Sequence, residues 1–176
     1  ITVNGDVTGG SSGVFSFAEN NSTATVNVSG DVSGDYYGLY LDAWNTSTSN
    51  VSVSGNVSSN TLGLVIGAQD GGQAAVTIGG NLTATDEAIS SYNDGGSVDI
   101  GVQDITAGGY TLALQAENGG KTNVSVKGDM SSDSYGMSFR ADEMSQIDVV
   151  VSGTMTVEDR AVYCSSTVTN QTRICA

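Results

Sequence analysis

Proline and histidine are both absent from these 176 residues, and each absence closes something off. Without histidine there can be no Ser-His-Asp triad and no imidazole base. Average usage near 5% would place roughly nine prolines in a chain of this length. A backbone that has none is one whose amides are wanted as donors, because proline has no N–H to give. Basic residues are scarce as well. Lys121, Lys127, Arg140, Arg160 and Arg173 stand against 19 Asp plus Glu, for a formal net charge of −14. Residues 1–120 carry no base at all. Such a surface repels phosphate backbones and anionic lipid, which argues against nucleic acid as a partner. No apolar run approaches the roughly 18 residues that cross a bilayer, so no membrane span is expected. Charged residues make up only 14% of the chain while apolar ones recur at regular spacing, so acidity here does not mean disorder.

Cysteine is limited to Cys164 and Cys175. An even pair in a chain otherwise rich in Gly, Ser, Thr and Asn predicts one disulfide and an oxidising, extracellular or cell-surface setting. Two cysteines without histidine leave a zinc site short of four ligands. The chain opens at Ile1 inside its own repeat pattern and without an initiator Met, so it reads as a mature or excised segment.

What is present is a sentence restated. "VNVSGDVSGDYYGLYLDAWN" (26–45) is answered by "VSVSGNVSSNTLGLVIGAQD" (51–70) and anticipated by "ITVNGDVTGGSSGVFSFAEN" (1–20). The anchor is a Gly-Asx pair followed by an aliphatic residue. It occurs at Gly5-Asp6-Val7, Gly30-Asp31-Val32, Gly55-Asn56-Val57, Gly80-Asn81-Leu82, Gln103-Asp104-Ile105, Gly128-Asp129-Met130 and Gly153-Thr154-Met155, in steps of 25, 25, 25, 23, 25 and 25. Upstream of the anchors lie alternating pairs such as Val26/Val28, Val51/Val53, Val76/Ile78, Val98/Ile100 and Val124/Val126. Downstream comes a second alternation, as in Leu39/Leu41/Ala43, Leu64/Ile66/Ala68 and Leu112/Leu114/Ala116. Period two over short runs means half-buried strand. Turn phrases rich in Asx and Gly separate the runs, and no helical periodicity is sustained anywhere.

A fixed period with the same residue type in each column favours stacked coils over a sandwich of hairpins, because equivalent positions then lie about 4.8 Å apart. The fold expected is all-β: a parallel β-solenoid (β-helix) of about seven coils of about 25 residues, with three short strands per coil. A right-handed wind follows from the hand of parallel crossovers. Residues 1–165 form the coils, and residues 166–176 are expected to close one end as a cap tied by the disulfide. Two irregularities are foreseen. Coil 4 places Ala88, Ser90 and Tyr92 where other coils have Leu, Leu and Ala, and coil 5 gains a residue at Gly101-Val102, read as a bulge.

Three columns are candidates for function. Asp6, Asp31, Asn56, Asn81, Asp104 and Asp129 form an Asx ladder, and its carboxylates Asp6, Asp31, Asp104 and Asp129 could offer oxygen ligands to Ca²⁺. The same residues would equally serve as corner groups bonding turn amides, and the calcium-binding Gly-Gly-x-Gly-x-Asp nonapeptide is missing. Thr8, Ser33, Ser58, Thr83, Thr106, Ser131 and Thr156 form a hydroxyl ladder. Regular rows of Thr are a feature of ice-binding solenoids, but Asp35, Asp133 and Glu158 fall at second positions where such faces repeat Thr. The third is aromatic: Tyr36, Tyr37, Tyr40 and Trp44 cluster in coil 2, and Tyr110 and Tyr135 share a column with Tyr37. Exposed rings beside carboxylates and amides suit a sugar face, and they also suit turns that shield a core edge.

An enzyme reading has less to stand on. Lys127 near Asp104 and Asp129 is the best base-plus-carboxylate constellation for a lyase, and carboxylate pairs are too abundant to single out a hydrolase. A regular 25-residue coil also leaves no long loops to wall a cleft. The GDV-type coils, the acidic Gly/Ser/Thr/Asn surface and the missing proline resemble bacterial surface β-solenoids. These are the adhesin-like stalks and the small right-handed β-helix carbohydrate-binding proteins of extracellular origin. That resemblance implies a non-catalytic secreted or cell-surface module for adhesion or for carbohydrate binding and display. Its partner would be an extracellular glycan or a cell surface, with Ca²⁺ the one cofactor to test and end-to-end or edge association a further expectation. A polysaccharide lyase or hydrolase, and ice binding, are the alternatives.

Overall fold

The structure is a computed structural model describing residues 1–142 and 144–166. It is an all-β parallel solenoid of seven coils with three strands to the coil. Three seven-stranded sheets run the length of the stack. Sheet A takes the six-residue strands such as Thr23–Val28, Thr48–Val53, Gln73–Ile78, Ser97–Val102 and Lys121–Val126. Sheet B takes three-residue strands such as Val32–Gly34, Val57–Ser59, Leu82–Ala84 and Met130–Ser132. Sheet C is the widest, built from Ser12–Ala18, Tyr37–Trp44, Leu62–Gln69, Ile89–Asp94, Tyr110–Glu117, Tyr135–Ala141 and Val162–Ser166. Neighbouring strands are parallel throughout and in register, so Val26 pairs with Val51, Val32 with Val57 and Leu39 with Leu64.

The period-two pattern becomes packing in the simplest way. In sheet C the inward column Leu39, Leu64, Ile89, Leu112 is fully buried, and so is the Ala43, Ala68, Ala116 column, with Leu41, Ile66, Ser91 and Leu114 between them. Val51, Val76, Val57 and Leu82 close the core from sheets A and B. The interior is thus a narrow stack in which each side chain rests on its counterpart one coil away. The corners carry the same ladder onward: Val32 N–H donates to Asn56 O at 2.8 Å, Val57 N–H to Asn81 O at 2.8 Å and Leu82 N–H to Asp104 O at 2.9 Å. Proline at any of these three positions would remove a donor from the ladder.

Both irregularities foreseen in coils 4 and 5 are resolved differently. The strand Ile89–Asp94 aligns Ile89 with Leu64, Ser91 with Ile66 and Asn93 with Ala68. The inward residues of coil 4 are therefore Ile89, Ser91 and Asn93, while Ser90 and Tyr92 face out. Two polar residues in inward places hid the register. Asn93 is satisfied there, its amide donating to Lys121 O at 2.7 Å and its oxygen accepting from Gly96 N–H at 3.0 Å. In coil 5 there is no bulge. Ser97–Val102 pairs continuously with Lys121–Val126, and Val102 is buried opposite Val126. The turn that follows is simply one residue shorter than its neighbours, because only Gln103 and Asp104 separate Val102 from Ile105.

The disulfide expected between Cys164 and Cys175 falls outside the described residues at its second cysteine. Only Cys164 belongs to the described residues, at the place in register with Phe139. Cys175 lies outside them, and no disulfide joins two described residues. The cap assigned to residues 166–176 also lies outside the described residues, apart from Ser166, the last residue of its strand.

Ser91 is buried between Ile66 and Leu114, and its hydroxyl has no partner. Ser91→Val should fill that column and remove a buried unpaired hydroxyl, raising stability by about 1–2 kcal/mol. Leu64→Ala, which opens a cavity in the neighbouring column, should lower it by about 2–5 kcal/mol. Urea unfolding of the two variants checks both signs.

Candidate functional site

Outward positions of sheet C alternate with the core positions, so register assigns them without ambiguity. One outward column runs Phe15, Tyr40, Val65, Ser90, Ala113, Ser138, Tyr163. The next runs Phe17, Asp42, Gly67, Tyr92, Gln115, Arg140, Ser165. In the first column the side chains are large at both ends and small between. That profile makes a trough of about 720 Å³ reaching from Tyr40 and Asp42 in coil 2 to Tyr163 and Ser165 in coil 7. Five coil steps put its length at about 24 Å. Apart from Glu87, in the turn before Ile89–Asp94, its lining residues belong to the strands of sheet C, so the expectation that a cleft needs long loops is answered by side-chain size on a flat sheet.

The aromatic end is a connected group. Phe15 stacks on Tyr40 with ring centres 5.0 Å apart, and Trp44 meets Phe17 edge-on at 6.2 Å. Tyr37 touches Tyr40 at 5.4 Å and Tyr36 at 4.7 Å, both edge-on. The coil-2 residues Tyr36, Tyr37, Tyr40 and Trp44 are therefore brought together as the sequence suggests. Tyr110 and Tyr135 form a separate stacked pair at 4.9 Å, along the edge of sheet C nearer its far end. Sequence reading missed Phe15, Phe17, Tyr92 and Tyr163, all of them well exposed. The signal was available in coil 1: aligning Ala18 with Ala43 makes Val14 and Ser16 the inward residues and turns both Phe rings outward.

The rim is acidic. Asp42, Glu87 and Gln115 line the trough, with Asp94 and Glu117 on neighbouring positions. Arg140 is the one base on its lining, 3.8 Å from the Glu117 carboxylate. Burial pushes the Asp42 carboxyl above its ordinary range, opposed by hydrogen bonds from the Trp44 side chain and the Ala43 backbone. Burial also raises Glu87, against a hydrogen bond from Ser90 and with Asp86 adding to the rise. Tyr40 and Tyr92 are raised in the same way, first by desolvation and then by nearby acids, Asp42 for Tyr40 and Asp94 with Glu117 for Tyr92. Asp42 is the anomaly of the face. It is only 8% exposed, and its Oδ1 has no hydrogen-bond partner.

The Asx ladder does a structural task. The Oδ1 of Asp6 accepts the Asp31 N–H at 2.8 Å, that of Asp31 the Asn56 N–H at 2.6 Å, and that of Asn56 the Asn81 N–H at 2.9 Å. Asp104 and Asp129 do the same for Asp129 and Thr154, at 2.8 and 2.7 Å. Glycine precedes most of these residues because a Cβ at Gly30 would lie 2.1 Å from the Asp6 Oδ1 and one at Gly55 2.3 Å from the Asp31 Oδ1. Asp6, Asp31, Asp104 and Asp129 are thus strung along the corner one to a coil. Among the described residues, no group of three or more His, Cys, Asp or Glu gathers to hold a metal. The hydroxyl column Thr8, Ser33, Ser58, Thr83, Thr106, Ser131, Thr156 is in register on the outside of sheet B, one hydroxyl per coil. Lys127 is exposed at the corner between sheets A and B, next to Gly128 and Asp129, and does not line the trough.

No family model, curated protein or solved structure matches this chain. Function must therefore be argued from the face itself. No helix among the described residues is long and apolar enough to cross a membrane.

Two outcomes follow. Asp31→Asn keeps an oxygen for the Asn56 amide and relieves repulsion from Asp6, so its stability should match or exceed the parent. Asp31→Ala should lose about 1 kcal/mol, and added Ca²⁺ should leave the melting temperature of the parent unchanged. For Asp42 the sign is the reverse of that for an ion-paired or well hydrogen-bonded carboxylate. Its folded state binds the proton more tightly than the unfolded state, so its contribution to stability falls as pH rises from the unfolded to the folded pKa and stays low above it. Asp42→Asn should raise the melting temperature at neutral pH and show little effect in acid.

Proposed function

We propose that this protein is a non-catalytic carbohydrate-binding module of a secreted or cell-surface protein, holding an extended glycan along the trough of sheet C. The observation that carries the reading is the profile of that face. Exposed rings stand at both ends of a small-residue floor, with carboxylates and amides along the rim. A sugar ring offers an apolar face to stack on an aromatic and hydroxyls at its edge, and this surface supplies counterparts for both. The length of the trough suits several consecutive residues of a polymer rather than a single small molecule. The rigid spacing of the coils presents the contacts preorganised, which lowers the entropic cost of ordering them on binding. Gly, Ser, Thr and Asn dominate the remaining surface, in keeping with an exported stalk or display element.

Trp44 fluorescence is the direct probe, because the chain has one tryptophan and it sits at the aromatic end of the face. A neutral polysaccharide that binds should quench or shift its emission saturably. Trp44→Ala and Tyr40→Ala should each weaken binding about tenfold or more, while Lys127→Ala should leave it unchanged. Absence of any response across neutral and amino polysaccharides would remove carbohydrate binding and leave a stalk.

One observation favours a second reading, a polysaccharide hydrolase. Asp42 and Glu87 both line the trough and both have carboxyls raised by burial, and glycoside hydrolysis uses a pair of carboxyl groups of which one stays protonated. Prolonged incubation with the bound polymer should produce no new reducing ends. Reducing ends that disappear with Glu87→Gln would replace the non-catalytic reading with the enzymatic one.

A further inference from the structure

Asp42 occupies a place where the fold asks for nothing charged. Its neighbours along the column are Phe17 and Gly67, and beyond Gly67 stands Tyr92. Gly67 leaves a gap in the column, and the Asp42 carboxyl leans into it: a Cβ at Gly67 would lie 2.7 Å from the Asp42 Oδ1. The gap opens on the trough, since Asp42, Gly67 and Tyr92 all line it. The oxygen directed into this gap is the one without a partner, on a side chain 8% exposed. A buried, unpaired carboxylate oxygen is costly and is seldom kept without a use. The torsion that carries the carboxyl group is soft and roughly two-fold, so either oxygen can be turned to a donor arriving from the trough.

The surroundings define that donor. Glu87, Asp94 and Glu117 lie on the same face; Arg140, the one base on the trough lining, is already beside Glu117, and Arg160 stands over the Tyr163 ring at the far end, away from the gap. The net charge of the whole chain is −14. A field of this sign repels uronic acids and sulfated sugars and draws cations. Tyr40 and Tyr92, the rings that stand in the columns around the gap, offer faces that attract an ammonium group as well as an apolar sugar face.

We infer that the gap at Gly67 is a subsite for a protonated amino group, with Asp42 as its hydrogen-bonding counter-ion, and that the glycan held on sheet C is a polymer of amino sugars bearing free amines. This deepens the carbohydrate-binding reading and rests on it. An ammonium supplies both the hydrogen and the charge that Asp42 lacks, where a hydroxyl supplies only the hydrogen.

Three chemically matched probes separate the cases by calorimetry and Trp44 fluorescence in low salt at mildly acidic pH: the glucosamine hexamer, its fully N-acetylated form, and a lysine hexapeptide. The glucosamine hexamer should bind about tenfold or more tightly than either of the others. Asp42→Asn, nearly isosteric, should remove that preference while circular dichroism stays that of the parent. Gly67→Ala, which places a methyl group against the carboxylate, should do the same by occlusion. Equal binding of the acetylated and free-amine hexamers would overturn the ammonium subsite and leave carbohydrate binding intact. Equal binding of the lysine peptide would reduce the effect to unspecific charge and overturn the subsite too. If neither hexamer binds, the ammonium subsite falls, and carbohydrate binding then stands or falls with the neutral polysaccharides. Unchanged affinity in a folded Asp42→Asn variant would overturn the assignment of Asp42 by itself.

Discussion

Everything in this molecule depends on the parallel ladder between coils. Each strand and each corner gives its amides to the coil beside it, and the spacing of about 4.8 Å between strands then dictates which side chains can coexist. Whatever stands inward must tolerate its own kind directly above and below, and aliphatic and small residues do so by packing. Whatever stands at a corner must either bond the next coil or leave room for it. The Gly-Asx anchors do both, the glycine yielding space and the carboxylate or amide accepting the next backbone N–H. Interleaving Asn56 and Asn81 between charged members keeps that row from becoming a line of adjacent like charges.

Because the ladder is satisfied by backbone, the outer faces are left free to vary. A globular enzyme builds its cleft from loops, whose course has to be stabilised separately. Here the trough arises because Val65, Ser90, Ala113 and Ser138 are small where Tyr40 and Tyr163 are large. Such a site can be lengthened, shifted or emptied by exchanging outward residues, with no change of backbone. Its stability is also local, since a coil in a solenoid contacts only its neighbours.

How much of this was legible in the sequence follows from the same logic. The coil, its period and the inward Val, Leu and Ala columns are written directly in residue type, because stacking forces repetition. The hydroxyl and Asx columns were legible for that reason too. Coil 4 was not, because Ser91 and Asn93 stand inward and Tyr92 outward, so hydrophobic alternation points to the wrong face; only register against Ile66 and Ala68 corrects it. The short turn at Gln103-Asp104 misled in a similar way: Val98/Ile100 was set against Val76/Ile78, whereas Val98 and Ile100 pair with Ala74 and Val76, so the inward Val102 looked like an insertion. The coil-2 members of the aromatic end, Tyr36, Tyr37, Tyr40 and Trp44, were legible as a cluster because they are close in sequence. Phe15 and Phe17 were hidden by the presumption that Phe belongs inside, and Asp42 could not be singled out among 19 acids without knowing that its neighbour in space is Gly67.

Asp42 is also where the interests of the fold and of the surface part. Coils 1 and 4 fill the same column with Phe17 and Tyr92, either of which would shield the sheet without asking for a partner. A carboxylate there desolvates a charge, leaves one oxygen unpaired, and works against folding at neutral pH. The loss is confined, because the ladder beneath is complete and the coils on either side keep their own columns. A scaffold of stacked, individually satisfied coils can therefore carry one unfavourable residue without yielding elsewhere. That tolerance makes an unpaired carboxylate readable as a contact awaiting its ligand, where in a marginal globular core the same residue would more readily be a defect.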